Sequence, residues 1–409
     1  MKHSFFLSLA LGAGWLLSPE SLVIAGNGAG RMGWLTIPLL ASIALLYTVC
    51  AKLINSPQLP DQVDKKHFML QSMTGIIPAT SLRIAAVIPL VILGATALLV
   101  TSGYTFNEVF LYWFPNFGFS FLLLALLTIL QLFPEKYIFK AQICFVSLAA
   151  GGLLILALYG ITTTELVVTQ VFKQPSSFSS SAFASMFLLF AWSTFSSEKQ
   201  QPSVLVPVAG LILFSCWILV SLSYVDAERL ASSTIPYMTA ARRIMGEPGR
   251  QIMGIIVISG TCAAITGLLL VCRRMLWSVA GTTSHDSSSG KALRWFFPPL
   301  IAIITGSLMA TGLAGDEQLE VLLRGALILW LIYYDLLCLA AVLQTQKATQ
   351  TIPIAGATCT VILLAAVFIL ISSNTHRMEM LRFLLSMFAI SGLLSTIWFF
   401  INKDRNQYP

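Results

Sequence analysis

Long apolar runs alternate with short polar connections along nearly the whole chain, and the length of the runs decides the class. A helix crossing the hydrocarbon core of a bilayer needs roughly 20 residues. Runs of about that length cover Phe5 to Ala25, Met32 to Ile54, Ile76 to Thr101, Phe117 to Phe133, Tyr137 to Ile161, Ser181 to Ser197, Val204 to Val225, Ile252 to Val279, Trp295 to Leu313, Leu319 to Leu343, Ile352 to Ser372 and Met380 to Ile401. The pattern predicts an all-α polytopic membrane protein with about twelve transmembrane helices. The longest connections are Asn55 to Gly75, Thr162 to Ser180 and Asp226 to Gln251, too short for a soluble domain. The last contains Glu228, Pro236 and Ala240-Ala241-Arg242-Arg243 and has room for a short helix of its own, while the Ser/Gly-rich run Thr282 to Gly290 reads as a flexible cytoplasmic linker.

The first run is irregular where a membrane helix should be most regular. Leu11-Gly12-Ala13-Gly14-Trp15-Leu16-Leu17-Ser18-Pro19-Glu20 carries two glycines and a proline. Glycine weakens a helix by roughly 1 kcal/mol relative to alanine, and proline removes a backbone donor. Two readings are open: a break in the helix, tolerated at bilayer depth only where it is buried or lines a cavity, or a small-residue face on which another helix packs closely.

Composition agrees with the pattern. Of 409 residues 57% are hydrophobic and 10% charged, against roughly 25% charged in a soluble domain. Met1-Lys2-His3 leads straight into the first run with no clear cleavage site, so that run reads as a transmembrane helix and not a signal peptide. The net charge of +7 suits an anionic membrane surface. All seven cysteines lie in apolar runs and the four histidines in tails or loops, so the sequence shows no metal cluster and no haem pair, and no cofactor is expected. Lys and Arg concentrate in alternate connections, including Lys52, Lys65, Lys66, Lys136, Arg273, Arg274 and Lys347. The positive-inside rule then places both termini in the cytoplasm, in a multi-pass protein of the cell (inner) membrane.

A second interruption is expected five helices on. The run Ser181 to Ser197 is short, has hydroxyls at its centre in Phe190-Ala191-Trp192-Ser193-Thr194-Phe195, and is followed by Glu198, Pro202 and Pro207. Interrupted helices at corresponding positions of two halves mark transporters built from inverted repeats, whose half-helix ends bind charged groups of a substrate. Here the chain resembles the amino acid/polyamine/organocation transporter superfamily. Gly12-Ala13-Gly14-Trp15-Leu16-Leu17-Ser18-Pro19 is similar to its first-helix pattern, and Gly33-Trp34-Leu35 with Tyr47-Thr48-Val49-Cys50-Ala51-Lys52 to its second helix. Phe190-Ala191-Trp192-Ser193-Thr194-Phe195 and Glu198-Lys199-Gln200-Gln201-Pro202 resemble its sixth helix and the glutamate-to-proline stretch after it, although the family's glycine there is replaced. Arg273-Arg274-Met275-Leu276-Trp277-Ser278 resembles the end of the eighth helix in the family's compact exporters of neutral amino acids.

The resemblance implies a 5+5 inverted-repeat (LeuT-like) core plus two extra helices: residues 1–161 as the first repeat, 181–343 as the second and 352–401 as the additional pair. It implies secondary active transport of an amino acid or related small zwitterion by alternating access, with the bilayer and the amino acid or amine as partners and no nucleic acid. The pocket candidates are Gly12, Ala13, Gly14 and Trp15 on the first helix and Phe190, Ala191, Trp192, Ser193 and Thr194 on the sixth. Their neutrality argues for neutral substrates.

Ionisable residues inside spans cost about 2.5–3.5 kcal/mol each at the centre on insertion scales. Asp335, near the middle of the tenth span, is the candidate for proton coupling or for binding a substrate amine; the plainer reading is a carboxyl capped by neighbouring hydroxyls. Glu20 and Arg324 are candidates for an outer gate, with a static interfacial role as the alternative, and Arg83 is expected to snorkel toward the interface. Ser259 and Thr261, with Thr266, mark a possible sodium site, whereas the fifth-helix stretch Ser147-Leu148-Ala149-Ala150 lacks the lysine that some proton-coupled relatives place there. Proton-linked export or exchange is the expectation; a sodium-coupled importer and a non-transporting receptor or assembly partner are the alternatives. Ser18 and Ser193 have no histidine or lysine base in the membrane beside them, so an enzyme is not expected.

Overall fold

The computed structural model describes residues 2–54, 65–163, 177–192, 205–279, 288–312, 317–345 and 351–402. In chain order the helices are α1 (Lys2–Leu16), α2 (Pro19–Met32), α3 (Thr36–Ile54), α4 (Lys65–Thr74), α5 (Ile76–Val109), α6 (Asn116–Leu132), α7 (Glu135–Thr163) and α8 (Ser180–Phe190). They continue as α9 (Leu205–Tyr224), α10 (Ala227–Ser232), α11 (Pro236–Met245), α12 (Glu247–Val279), α13 (Ser288–Ala310), α14 (Glu317–Thr345), α15 (Thr351–Ser372) and α16 (Arg377–Asn402). Eight helical stretches among the described residues are long and apolar enough to cross a membrane, and shorter apolar helices cover Asn116–Leu132, Ser180–Phe190 and Trp295–Ala310. Every predicted span is therefore largely helical over its described residues, in an all-α polytopic membrane protein.

Burial sorts the helices into an inner and an outer set. Helix α12 packs along α7, α5 and α1 and is enclosed for most of its length. On α15 and α16, by contrast, Val361, Phe368, Leu385, Leu393 and Phe400 are exposed, and α6 and α13 expose Leu122, Leu126, Phe296 and Ile303 in the same way. Such long apolar exposed faces are what a lipid-bathed surface requires.

Small residues let the inner helices approach. A Cβ on Gly260 of α12 would stand 2.1 Å from the carbonyl oxygen of Leu17, and one on Gly14 of α1 would stand 2.9 Å from that of Ala263. The close-packing reading of the first-span glycines thus describes Gly14. Between α2 and α3 the chain reverses through a 3-10 turn at Gly33–Leu35, and Gly33 takes φ 59°, a conformation open to glycine and costly to other residues.

Four sequence expectations change. The connection before the eighth span holds two helices, α10 and α11, because Asp226 and Pro236 each start one. The stretch Asn55 to Gly75 contains α4, which lays Met69 and Leu70 into the core. Of the Ser/Gly-rich run, Ser288 to Gly290 form the first turn of α13, while residues 282–287 lie outside the described residues. Arg83 is 4% exposed, so it does not snorkel out; close packing of α5 by α12, α14 and α16 encloses it.

Gly260→Ala should cost about 1–3 kcal/mol, because the contact is with backbone that cannot move aside. The check is a lowered thermal unfolding midpoint in detergent, with Gly151→Ala as control, since nothing lies within 4 Å of a Cβ there.

Candidate functional site

The first interruption is set by proline. Pro19 has no N–H, and its ring pushes the preceding residue out of the helical region; Ser18 accordingly sits at φ −68°, ψ 155°. Helix α1 is continuous through Gly12, Ala13 and Gly14, so the break falls at Leu17–Ser18 and not at the glycines. It is closed by local bonds. The Leu17 N–H donates to Ala13 O at 3.1 Å and the Ser18 N–H to Trp15 O at 2.9 Å. Ser18 Oγ caps α2 by accepting from the Ser21 N–H at 3.3 Å, and Ser21 Oγ reaches back across the break to donate to Trp15 O at 2.8 Å.

The first-helix candidates do not share one surface. Gly12 and Gly14 are buried, Ala13 is half-buried, and Gly14 faces Ala263 and the amide of Gln142, which itself donates to Ala10 O at 3.0 Å. The Trp15 ring is buried against α5, 3.8 Å from where a Cβ on Gly94 would stand, and its indole N–H has no hydrogen-bond partner. Trp15 therefore packs into the helix framework.

The second interruption lies beside the first. Helix α8 ends at Phe190, and Ala191 and Trp192 form a turn; Ser193 and Thr194 lie outside the described residues. Phe190 and Leu16, the last residues of α8 and α1, converge on Gly210 of α9, where a Cβ would meet both side chains. Carbonyls at the end of α8 receive side-chain donors from other helices: Tyr47 OH donates to Phe187 O at 2.8 Å and Trp330 Nε1 to Ala191 O at 3.1 Å. Rings follow the same route, with Trp192 and Trp330 at 4.5 Å between centroids and Tyr47 and Tyr334 at 5.3 Å. Tyr47 and Trp330 were not among the sequence candidates. Tyr47 stood in a second-helix motif, but an aromatic residue in an apolar run carries no mark of what it caps.

A cavity of about 650 Å³ opens above the breaks, walled by α2, α5, α8, α14, the α10–α11 segment and the turn after α15. Because α1 and α2 run toward it and α16 runs away from it, the cavity lies at the face opposite the start of α1. Glu20 and Arg324 both line it. They do not pair with each other: Arg324 binds Glu320 one turn earlier on its own helix at 2.5 Å, and both of those side chains are more than half exposed. Tyr237 on α11 also lines the cavity, is 1% exposed, and its hydroxyl has no partner. Burial, then the charges of Glu20 and Glu108, push its phenol well above the ordinary value, so it stays a donor.

The other candidates lie apart from the cavity. Asp335 is 3% exposed within α14, and its Oδ1 accepts no hydrogen bond. Ser259 Oγ donates back to Ile255 O at 2.6 Å, and Thr261 accepts from Ser102 Oγ at 2.8 Å, so both hydroxyls already have partners within the helix framework. Among the described residues no group of three or more His, Cys, Asp or Glu side chains is placed to hold a metal ion. At the other end of α12, Glu135 binds Arg273 and Arg274, each at 3.1 Å, tying that helix to the start of α7.

Tyr47→Phe and Trp330→Phe should each cost about 1 kcal/mol, the net worth of one buried hydrogen bond, read as a lower unfolding midpoint. The Tyr47→Phe/Trp330→Phe double variant should lose about the sum if the two donors cap α8 independently.

No known family model matches the sequence, and no curated protein matches it. Solved structures do. The chain superposes on a mutant of the Eremococcus coleocola manganese transporter with a TM-score of 0.59 at 14% identity, covering 98% of this chain and 95% of that one. The same transporter in complex with an aromatic bis-isothiourea substituted compound gives 0.58 at 14% identity over the same shares. At that identity the likeness is one of fold, the LeuT-like arrangement of transporters, matched along nearly the full length of both chains.

Proposed function

We propose that this chain is a secondary transporter that moves an amino acid or related small zwitterion across the cell (inner) membrane by alternating access, with both termini cytoplasmic and no enzymatic step. The observation that carries the reading is the convergence of the ends of α1 and α8 on Gly210, next to a break whose following helix, α2, lines a vestibule. Half-helices that meet in this way offer main-chain groups and dipole ends to a substrate and have freedom to rock. The fold match with a transporter supports the same reading.

A second reading, a divalent metal as substrate, is favoured by the manganese carried by the solved neighbours. The chemistry near the breaks argues for the zwitterion. Ala13, Phe190, Ala191 and Trp192 offer no carboxylate, imidazole or thiol, Glu20 is a single carboxylate beside the first break, and among the described residues no three such groups are placed together to hold a dication.

Coupling to protons is the finer part of the proposal, and Asp335 is the group for it. A carboxyl enclosed in a membrane helix with a vacant lone pair is costly unless it takes up a proton or a cation.

Purified protein in liposomes should exchange labelled neutral amino acids in counterflow, with flux raised by an imposed proton gradient and not by a sodium gradient. Uptake of manganese without any amino-acid counterflow would reverse the choice of substrate, and no flux of either would favour a receptor or assembly partner. Asp335→Asn should retain counterflow and lose the response to the proton gradient; an undiminished response would remove Asp335 from coupling.

A further inference from the structure

Among the described residues, the vestibule contains an acceptor and a donor that make no hydrogen bond. Among the described residues the Glu20 side chain makes no hydrogen bond and no ion pair, although it lines the cavity beside the break. Tyr237, almost completely buried, lines the same cavity with an unpartnered hydroxyl. A buried hydroxyl without a partner forfeits a hydrogen bond, and such a group in a wall of a cavity is one a ligand can satisfy. Glu20 is the second residue of α2, where the positive end of the helix dipole favours an ionised carboxylate but leaves its outward lone pairs unused.

The charges around the cavity are balanced. Its acidic and basic lining residues are Glu20 and Glu320 against Arg31 and Arg324. Arg324 spends one guanidinium nitrogen on Glu320 and keeps further donors from its planar fork. A dication would meet two arginines here and a plain anion two carboxylates, whereas a solute with one charge of each sign meets a complement for both. Between the charged groups the wall is mixed, aliphatic at Val23, Ile24 and Val100 and hydroxyl or amide at Asn27, Thr101 and Ser185. A volume of about 650 Å³ is within the ordinary range for small-molecule sites and leaves room for water.

We infer that the vestibule is an outer recognition site for a small zwitterion, its ammonium accepted by Glu20 and its carboxylate held by the Tyr237 hydroxyl and the free face of Arg324. The site rests on the transport reading, as the place where solute is sorted before it reaches the breaks. It deepens that reading by naming recognition groups outside the central pocket, on α2, α11 and α14. Glu20 and Arg324 then act on a ligand set between them and not on each other.

The test uses the full chain in lipid nanodiscs, titrated with L-leucine, L-alanine, L-phenylalanine, N-acetyl-L-leucine, isoamylamine and manganese(II), with intrinsic fluorescence and the thermal midpoint as readouts. L-Leucine should saturate, and the analogues lacking the ammonium or the carboxylate should bind about tenfold or more weakly, the usual worth of a hydrogen bond to a charged group. Glu20→Gln, which preserves shape, should raise the half-saturating L-leucine concentration about tenfold, and Tyr237→Phe should do so with an unchanged midpoint in the absence of ligand. Equal titrations of wild type, Glu20→Gln and Tyr237→Phe would overturn the site, as would saturation by manganese with no response to L-leucine, L-alanine or L-phenylalanine. Parallel counterflow separates the two layers: flux with unchanged half-saturation in Glu20→Gln removes the site and keeps transport, while Glu20-dependent binding without wild-type flux keeps the site and removes transport.

Discussion

A main-chain N–H or C=O inside a bilayer has no water to turn to, and that constraint governs how this protein can interrupt a membrane helix at all. At the first interruption the chain solves the problem locally, with Ser18 capping α2 and Ser21 reaching back to Trp15 O. At the second it draws on other helices, with Tyr47 from α3 and Trp330 from α14 donating to carbonyls near the end of α8. The two breaks are thus held to different degrees by their surroundings. The first carries its caps with it; the second is tied to α3 and α14, so movement of α8 relative to them must exchange or carry those bonds.

Helix α12 supplies the fixed counterpart. Its Gly260 lies so close to the first break that a side chain there would collide with Leu17 O, and its Ala263 O approaches Gly14 of α1. Its far end is held by Glu135 through both Arg273 and Arg274. A helix anchored at one end by charge and along its length by backbone-to-backbone approach is poorly able to shift alone. The structure accordingly has a tight frame of α12, α5 and α7 with α1 set against it, while α8 packs instead on α2, α3 and α15. The vestibule is lined by the ends of elements, and it is there that Glu20, Tyr237 and Arg324 gather.

How much of this could be read beforehand depended on the range of the interaction. The spans were legible because twenty apolar residues have one outcome in a bilayer. The existence of a break near Trp15 was legible too, but the glycines drew attention to the wrong residues. Helix α1 runs on through Gly12 and Gly14, and Gly14 serves contact with α12 and α7, whereas Pro19 imposes the break by excluding Ser18 from the helical region. Trp15, a pocket candidate by position, faces Gly94 of α5, and Arg324 found Glu320 in its own helix before Glu20 across the vestibule. Tyr237 gave no signal, since its role depends on the burial of a hydroxyl and on a cavity formed by five other segments.

The sequence by itself determined the membrane class, the helical spans and the presence of an interruption before Pro19, because apolar length and the covalent geometry of proline act over a few residues in any context. Only the tertiary structure decided which face of each broken helix meets the frame, which carbonyls are capped by Tyr47 and Trp330, and which ionisable groups are left facing the vestibule without a mate. Those outcomes depend on residues far apart in the chain, whose juxtaposition is set by close packing at Gly14, Gly210 and Gly260 and not by any local pattern.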